Sequence, residues 1–359
     1  MNVLSLFDGM SCGQQALERA GFKVDKYFAS EIDKYAIQVT MANYPNTIQL
    51  GSVVNVNAKD LPKIDILIGG SPCQSFSFAG KRKGMSTKDE QEILTLDRYL
   101  EPKEQEYEFE GQSYLFWEYM RLLNEVKPKY FLLENVMMGE KWEKILSKAI
   151  GVKPIMINSS LVSAQNRQRL YWTNIGLEPQ GLFGDLESTI HQPKDKGILL
   201  KDILEAQVDD KYYLSDKMIS WLDKHALKRD VDVKKLDGNQ KSSCLTATAQ
   251  SKQNLSTDYI ITHNLQRRSA DRPALKDNKN AGGSGHLSKT DGKTYCLDVG
   301  NTQAVEYKSQ IRRLTPIECE RLQTVKDNYT NYVSDSQRYK MLGNGWTVDV
   351  IAHILNYIK

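Results

Sequence analysis

The sequence predicts an α/β protein, a doubly wound (Rossmann-like) sheet with a second, smaller domain. Over residues 1–175, short β-rich apolar runs alternate with helix-period segments, which calls for parallel strands joined by crossovers. From about 178 to 310 that alternation gives way to long stretches rich in Gly, Asn, Asp, Ser and Lys, with no internal repeat. At the end, apolar residues at 348, 351, 354 and 355 recur at helix spacing, so a final amphipathic helix is expected to pack back on the first domain. The expected boundaries are 1–177, 178–310 and a return over 311–359.

Taken in order, residues 3–7 (VLSLF) read as a buried strand and Asp8–Ser11 as a turn. Residues 12–20 read as a helix, with Gly21 as the residue that ends it. Strands are expected near 26–30, 64–68, 130–134 and 154–162, and helices near 33–43, 113–126 and 140–149. Helical pieces over 201–206 and 215–225 open the second domain. In such a sheet, ligands bind beyond the carboxyl ends of the strands. The loops 8–13, 69–76 and 134–138 all follow strands at that edge.

The totals bound the function. A chain of 359 residues with 40% hydrophobic content can bury a sizeable core. No window approaches the roughly 18 apolar residues of a membrane span, and the N-terminus has no basic region before its first strand, so a cytoplasmic protein is expected. The five cysteines (12, 73, 244, 296 and 319) are odd in number and widely spaced, which argues against disulfides and metal sites. Residues 84–110 hold nine acids against three bases, while 260–313 hold ten bases against five acids. The basic segment could follow a phosphate backbone or be a solvated loop.

Four constellations carry chemistry. The turn FDGMSCG puts Gly9 and Gly13 where a strand hands over to a helix, allowing backbone amides to approach a ligand. Glu31, in ASEID, stands at the end of the second strand, where it could accept from ribose hydroxyls. GGSPCQSF holds Cys73 in a turn-rich loop after a buried strand, a place for a reactive thiol, although an inert strand-end thiol reads the same way. Glu134, in FLLENV, ends another strand on an apolar approach, which suits a group that holds a proton or shares one with a ring nitrogen. QNRQR adds Arg167 and Arg169 at i and i+2, on one side if extended. A helix-capping role for Glu134 and an exposed surface pair for the arginines stay open when each is taken alone.

In order, FDGMSCG, SEID, GGSPCQSFS, LLENV, QNRQRLYW, RRLTPIECERLQ and GNGWTVDVIAHI make the chain resemble the DNA (cytosine-5) methyltransferases. It is most similar to a bacterial or phage branch near the animal de novo enzymes. The resemblance covers 1–176 and 311–359. It implies transfer of a methyl group from S-adenosyl-L-methionine to C5 of a flipped-out cytosine in double-stranded DNA, leaving S-adenosyl-L-homocysteine. Cys73 would add to C6, because a thiolate there makes C5 enamine-like. Glu134 would contact N3 and the exocyclic amine, Arg167 would hold O2 and the thiol loop, and Arg169 would support Arg167. Phe7, Asp8, Gly9, Met10 and Cys12 would line the methionine side, Glu31 would hold the ribose and Ile32 would pack on adenine. Ser52 and Val53 stand where the family usually has an acid facing the adenine amine. Pro72, Leu115, Asn344, Gly345 and Trp346 would close the pocket.

For DNA, the resemblance implies contacts from Gln74, Ser75, Lys81, Arg82, Arg267, Arg268 and Arg312, with sequence readout from about 235–310. The acidic 84–110 insert is expected to point away from DNA or to pair with the protein's own arginines. A monomer is expected, with no metal and no membrane partner. A cognate restriction endonuclease fits the resemblance, as does an orphan or phage enzyme. Location would be the bacterial nucleoid or the phage-infected host. The rival readings are a tRNA cytosine-5 methyltransferase on the same scaffold, whose CFT-type motif is missing here, and a non-catalytic DNA-binding homologue.

Overall fold

The computed structural model describes residues 1–72, 93–104, 114–180, 185–213, 215 and 310–359, with the short strands 263–266, 285–288, 294–295 and 304–307. Two compact units make up the chain. The first is residues 1–157, 168–192 and 349–359, and the second is 158–167 and 193–348. The chain thus rejoins the first unit at 349, whereas 311–348 clusters with the second. The reason lies in buried polar contacts that bind 311–348 to 158–167, described below.

In the first unit the elements are β1 (Asn2–Leu6), α1 (Cys12–Arg19), β2 (Lys26–Ser30), α2 (Lys34–Asn43), β3 (Ile48–Gln49), β4 (Ile66–Gly70), α3 (Leu96–Glu104), α4 (Leu115–Val126), β5 (Tyr130–Val136), α5 (Glu140–Ile150), β6 (Ile155–Asn158) and, after the short β7 (Gln165–Asn166) of the second unit, β8 (Gln168–Thr173). The sheet runs β3-β2-β1-β4-β5-β8-β6. β1, β2, β3, β4 and β5 pair in parallel, and β8 is antiparallel to β5. The doubly wound expectation therefore holds for the first unit. The run expected as one strand over 154–162 stops at Asn158 and turns into a short 3₁₀ segment, Ser159–Leu161, capped by the Asn158 side chain. The helix expected over 201–206 is one 3₁₀ turn, Leu200–Asp202, and the one over 215–225 lies outside the described residues.

Local chemistry explains the ends. Asp33 caps α2 by accepting from the backbone N–H groups of Tyr35 and Ala36. Gly21, at φ +79°, closes α1 with Phe22 N donating to Leu17 O at 2.9 Å. Alternation along the strands sends Leu4, Leu6, Leu67, Phe131 and Leu133 into one core with Phe116, Trp117, Tyr119, Trp142 and Leu146 of α4 and α5. Gly69 lies on that face. A Cβ there would stand 3.1 Å from Leu6 O and 3.1 Å from the Tyr119 ring.

Residues 349–359 belong to the first unit through concrete contacts. Asp349 pairs with Arg19, and the Lys359 carbonyl accepts from Tyr130 Oη at 2.6 Å. Among the described residues no helix is long and apolar enough to cross a membrane.

Gly69→Ala is predicted to destabilise the first unit by about 1–3 kcal/mol, because neither the carbonyl nor the buried ring can withdraw. A lower urea midpoint than wild type is the expected reading, and an unchanged midpoint would show that the core relaxes around a methyl group.

Candidate active site

The parallel strands end together. Leu6 is in register with Ser30 and with Gly69, and Gly70 is in register with Glu134. The residues just past these points are Phe7–Gly9, Glu31, Ser71–Pro72 and Asn135, so one sheet edge gathers Phe7, Asp8, Gly9, Glu31 and Pro72 of the site residues expected from sequence.

The β1–α1 turn is wound tightly, with Phe7 (φ +57°), Gly9 (φ +59°) and Ser11 (φ +59°) all left-handed. Gly9 N is thereby aimed at Glu31, donating to Oε2 at 2.7 Å. Glu31 Oε1 accepts from Ile32 N at 2.7 Å and Asp33 N at 2.8 Å. A carboxylate has about four acceptor positions, so Oε2 keeps capacity for a hydroxyl. Beside it, Ile32 is 73% exposed, an unusual setting for a large aliphatic side chain. Ser30 Oγ donates to Gly51 O at 2.8 Å, holding the Ser52–Val53 turn next to this strand end.

Asp8 sits within three hydroxyls. Its Oδ1 accepts from Ser5 Oγ at 2.6 Å and Tyr27 Oη at 2.7 Å, and its Oδ2 accepts from Ser11 Oγ. Burial pushes the carboxyl up to about 6; the three hydroxyls oppose that rise and the nearby Glu31 charge adds to it. Met10 and Cys12 are buried.

Beyond β4, Ser71 is buried and clamped by Asn135, whose Nδ2 donates to Ser71 O at 3.3 Å and Oγ at 3.1 Å. Asn135 Oδ1 in turn accepts from Val136 N at 2.8 Å. Sequence reading passed over Asn135, although its place beside Glu134 in ENV was the available signal. The clamp fixes the start of the segment carrying Cys73. Cys73 itself lies outside the described residues, as do Gln74, Ser75, Lys81, Arg82, Arg267 and Arg268.

Glu134 is 8% exposed. Arg169 stands diagonally across from it on β8, with Nε 2.9 Å from Oε1. Arg169, expected only as support for Arg167, is thus itself in contact with the carboxylate. Leu115 opens α4 and packs partly buried against the core.

The second unit holds Arg167, Asn344, Gly345 and Trp346. Arg167 is buried, and its guanidinium donates to Gly343 O at 3.2 Å and Gly345 O at 2.9 Å. Gln323 reinforces the same turn. Its Nε2 donates to Leu342 O at 2.7 Å, and its Oε1 accepts from Gln165 Nε2 at 3.1 Å and Thr347 Oγ1 at 2.8 Å. These buried contacts tie the end of helix Asp335–Asn344 to segment 158–167. Arg312 corrects the expectation of a DNA contact. It is 1% exposed, with Nη1 and Nη2 donating to Glu318 at 2.7 and 2.6 Å. Glu318 also caps helix Pro316–Leu322 through Thr315 N, so the arginine neutralises a buried structural carboxylate. Among the described residues no cluster of His, Cys, Asp and Glu could hold a metal ion.

The Asp8 environment has a pH consequence. Between about 4 and 6 the folded protein keeps a proton that the unfolded chain has lost, so stability falls as pH rises through that window. Asp8→Asn removes the titration. Its stability relative to wild type is predicted to improve by on the order of 2–3 kcal/mol from pH 4 to pH 7. Urea midpoints of both proteins at the two pH values measure it, and a constant difference would mean the carboxyl is not raised.

Comparison with known proteins identifies the family. A family model described as C-5 cytosine-specific DNA methylase matches residues 1–359. The type II methyltransferase M1.ScrFI of Lactococcus lactis subsp. cremoris is 30% identical, over 93% of this chain and 72% of its own. The orphan methyltransferase M.SPRI of Bacillus phage SPR is 28% identical, over 99% of this chain and 96% of its own. Among solved structures, Spodoptera frugiperda DNMT2 matches with a TM-score of 0.58 at 18% identity, over 99% of this chain and 98% of that one, a likeness of fold. The chain belongs to the C-5 cytosine-specific DNA methylase family and is a DNA cytosine methyltransferase.

Proposed function

We propose that the protein methylates C5 of a flipped-out cytosine in duplex DNA through a covalent adduct of Cys73 with C6, using S-adenosylmethionine. The observation that carries this reading is at the β4–β5 edge. Glu134 lies against Arg169 and in register with Gly70, three residues before Cys73. A carboxyl and a guanidinium at the strand end that leads into the Cys73 segment match a pyrimidine that presents N3, an exocyclic amine and O2 along one edge.

The residues of the first unit fit the adenosine half of the cofactor. Glu31 offers acceptor capacity for a ribose hydroxyl, and exposed Ile32 offers an apolar face for adenine. When bound, S-adenosylmethionine supplies the electrophilic methyl group. The Cys73 thiolate adds to C6 and turns C5 into an enamine-like nucleophile, splitting one hard step into two easier ones. During that addition Glu134 passes a proton to N3, and Arg169 stabilises the negative charge that develops on O2. After the methyl group is on C5, water acting as base takes the C5 proton, and β-elimination breaks the C6–S bond and releases the Cys73 thiolate. The Asn135–Ser71 clamp fixes where the thiol loop departs from the sheet.

Arg167 is assigned to holding the Gly343–Gly345 turn, a reversal of the order expected for the two arginines. Flipping the base costs a few kcal/mol, met by contacts from the thiol loop and from the 178–310 region. In that region the described strands pair locally, His263–Gln266 with Gly285–Ser288. Sequence readout is assigned to it, with each bidentate base contact contributing about 1–3 kcal/mol of discrimination.

The test is bisulfite sequencing of a random duplex library treated with protein and S-adenosylmethionine. Methylation confined to one short motif is expected, with none above background for Cys73→Ala. Absence of conversion by folded wild-type protein would sink the reading. Arg169→Met is predicted to lower kcat by about 10²–10³-fold, beyond the stability it loses by leaving Glu134 without its guanidinium, whereas kcat of folded Arg167→Met stays within about tenfold of wild type. Arg167→Met is predicted to lower stability by about 1–3 kcal/mol. Stopped-turnover kinetics and urea melts separate the two, and equal effects would undo the reversed assignment.

A further inference from the structure

One buried charged cluster in the first unit has no part in the proposed chemistry. Glu118 on α4 is fully buried. It accepts from Tyr99 Oη of α3 at 2.5 Å and from Arg121 Nε at 2.9 Å. Burial, then the Glu118 carboxylate, push the Tyr99 hydroxyl far above its usual range, so it remains a donor at all working pH values. Arg121 Nη2 stands 2.7 Å from the Glu118 oxygen that accepts from Nε and also reaches the neighbouring turn. There it donates to Val53 O at 3.3 Å and Val56 O at 3.0 Å. These carbonyls bracket the 3₁₀ turn Val53–Asn55.

That turn is anchored at both ends. Ser30 Oγ donates to Gly51 O at its start, one residue before Glu31, and Arg121 holds its finish. Between those anchors the sequence GSVVNV contains no carboxylate. Whatever the turn offers a ligand beside Glu31 therefore comes from backbone and short side chains, and depends on where the backbone is held. A guanidinium fork can reach a carboxylate and two carbonyls at once, which an ammonium cannot do.

We infer that Arg121 is a positioning residue for the adenine end of the cofactor site, setting the Gly51–Val56 turn through Val53 O and Val56 O while Glu118 and Tyr99 orient it. The inference rests on the cofactor reading above. It is tested by calorimetric titration of S-adenosylmethionine into the whole protein without DNA, alongside kcat at saturating cofactor and thermal midpoints. Arg121→Lys is expected to raise Kd about tenfold while kcat stays within about twofold of wild type. Glu125→Gln removes an outer, half-exposed partner of Arg121 at 2.8 Å and is expected to leave Kd unchanged. Wild-type affinity in Arg121→Lys, or equal weakening in Glu125→Gln, overturns the inference while leaving the cofactor reading intact. A fall in kcat matching the rise in Kd would mark general damage and overturn it too. Wild-type protein that binds no S-adenosylmethionine overturns both. Should Arg121→Lys not fold, Tyr99→Phe carries the same test, with a Kd increase of about threefold expected and an unchanged Kd refuting.

Discussion

A missing side chain at Gly69 governs the geometry of this enzyme. β1 and α4 approach β4 so closely that a Cβ would meet a backbone carbonyl and a buried tyrosine ring at the same 3.1 Å. That closeness packs α4 onto the sheet, and α4 in turn carries Glu118 and Arg121 toward the Val53 turn. Strand order and register do the rest. Once β4 lies between β1 and β5, the Gly70 and Glu134 backbones are partners. The loop that leaves Gly70 must then start beside Glu134, and Asn135 ties it there through Ser71. The chain leaves β4 beside the Glu134 carboxyl because of sheet topology before any side chain contributes.

Buried charge in both units follows one rule: each carboxylate is surrounded by donors before it is buried. Glu118 has Tyr99 and Arg121, and Glu318 has Arg312, Thr315 N and Glu205 N. Glu320 has Asn328 N, Thr330 N and Arg338. An unpaired carboxylate in such positions would cost several kcal/mol, and removing one partner is far worse than never having had the pair. These groups fix geometry more than they add stability. That distinction separates Arg312, which the sequence motif made look like a DNA contact, from Arg169. Both are arginines flanking strand residues, but Arg312 faces a carboxylate already committed to a helix cap, while Arg169 faces one placed at the strand-end edge.

What the sequence made legible was what local periodicity and turn chemistry control. The alternation of apolar runs disclosed the parallel sheet, and GGSPC, ENV and SEID marked strand ends because an apolar run that gives way to turn residues or a carboxylate is a local signal. Three things escaped. Residues 154–162 contain enough β-branched and apolar residues for one strand, but Asn158 offers its side chain to Ser160 N and turns the backbone into a 3₁₀ segment. What Arg167 and Arg169 each touch could not be read, since i and i+2 residues share a face only while the chain stays extended, and what each meets is decided by residues far along the chain. Gly343 and Gly345 are 176 and 178 positions from Arg167. The return to the first unit was placed at 311 rather than 349 for the same reason. Gln323 and Gln165 look like surface residues in a sequence, and only their mutual burial shows that 311–348 belongs with 158–167.

The FDGMS turn shows why strain collects at this edge. Two residues with a Cβ, Phe7 and Ser11, adopt left-handed backbone beside Gly9, each at a cost of order 1 kcal/mol or more. Asp8 adds a carboxyl whose proton affinity is raised by burial. A turn of ordinary conformation with a neutral residue at position 8 would be more stable. It would not present Gly9 N to Glu31, nor gather Ser5, Ser11 and Tyr27 about one carboxyl. The three hydroxyls over-determine the turn. Preorganisation of this kind puts the energetic penalty into the folding of the protein rather than into each binding event. The same logic applies to the Asn135 clamp and to the Arg121 fork: where the chemistry requires a backbone to stay still, the chain commits a buried polar side chain to holding it.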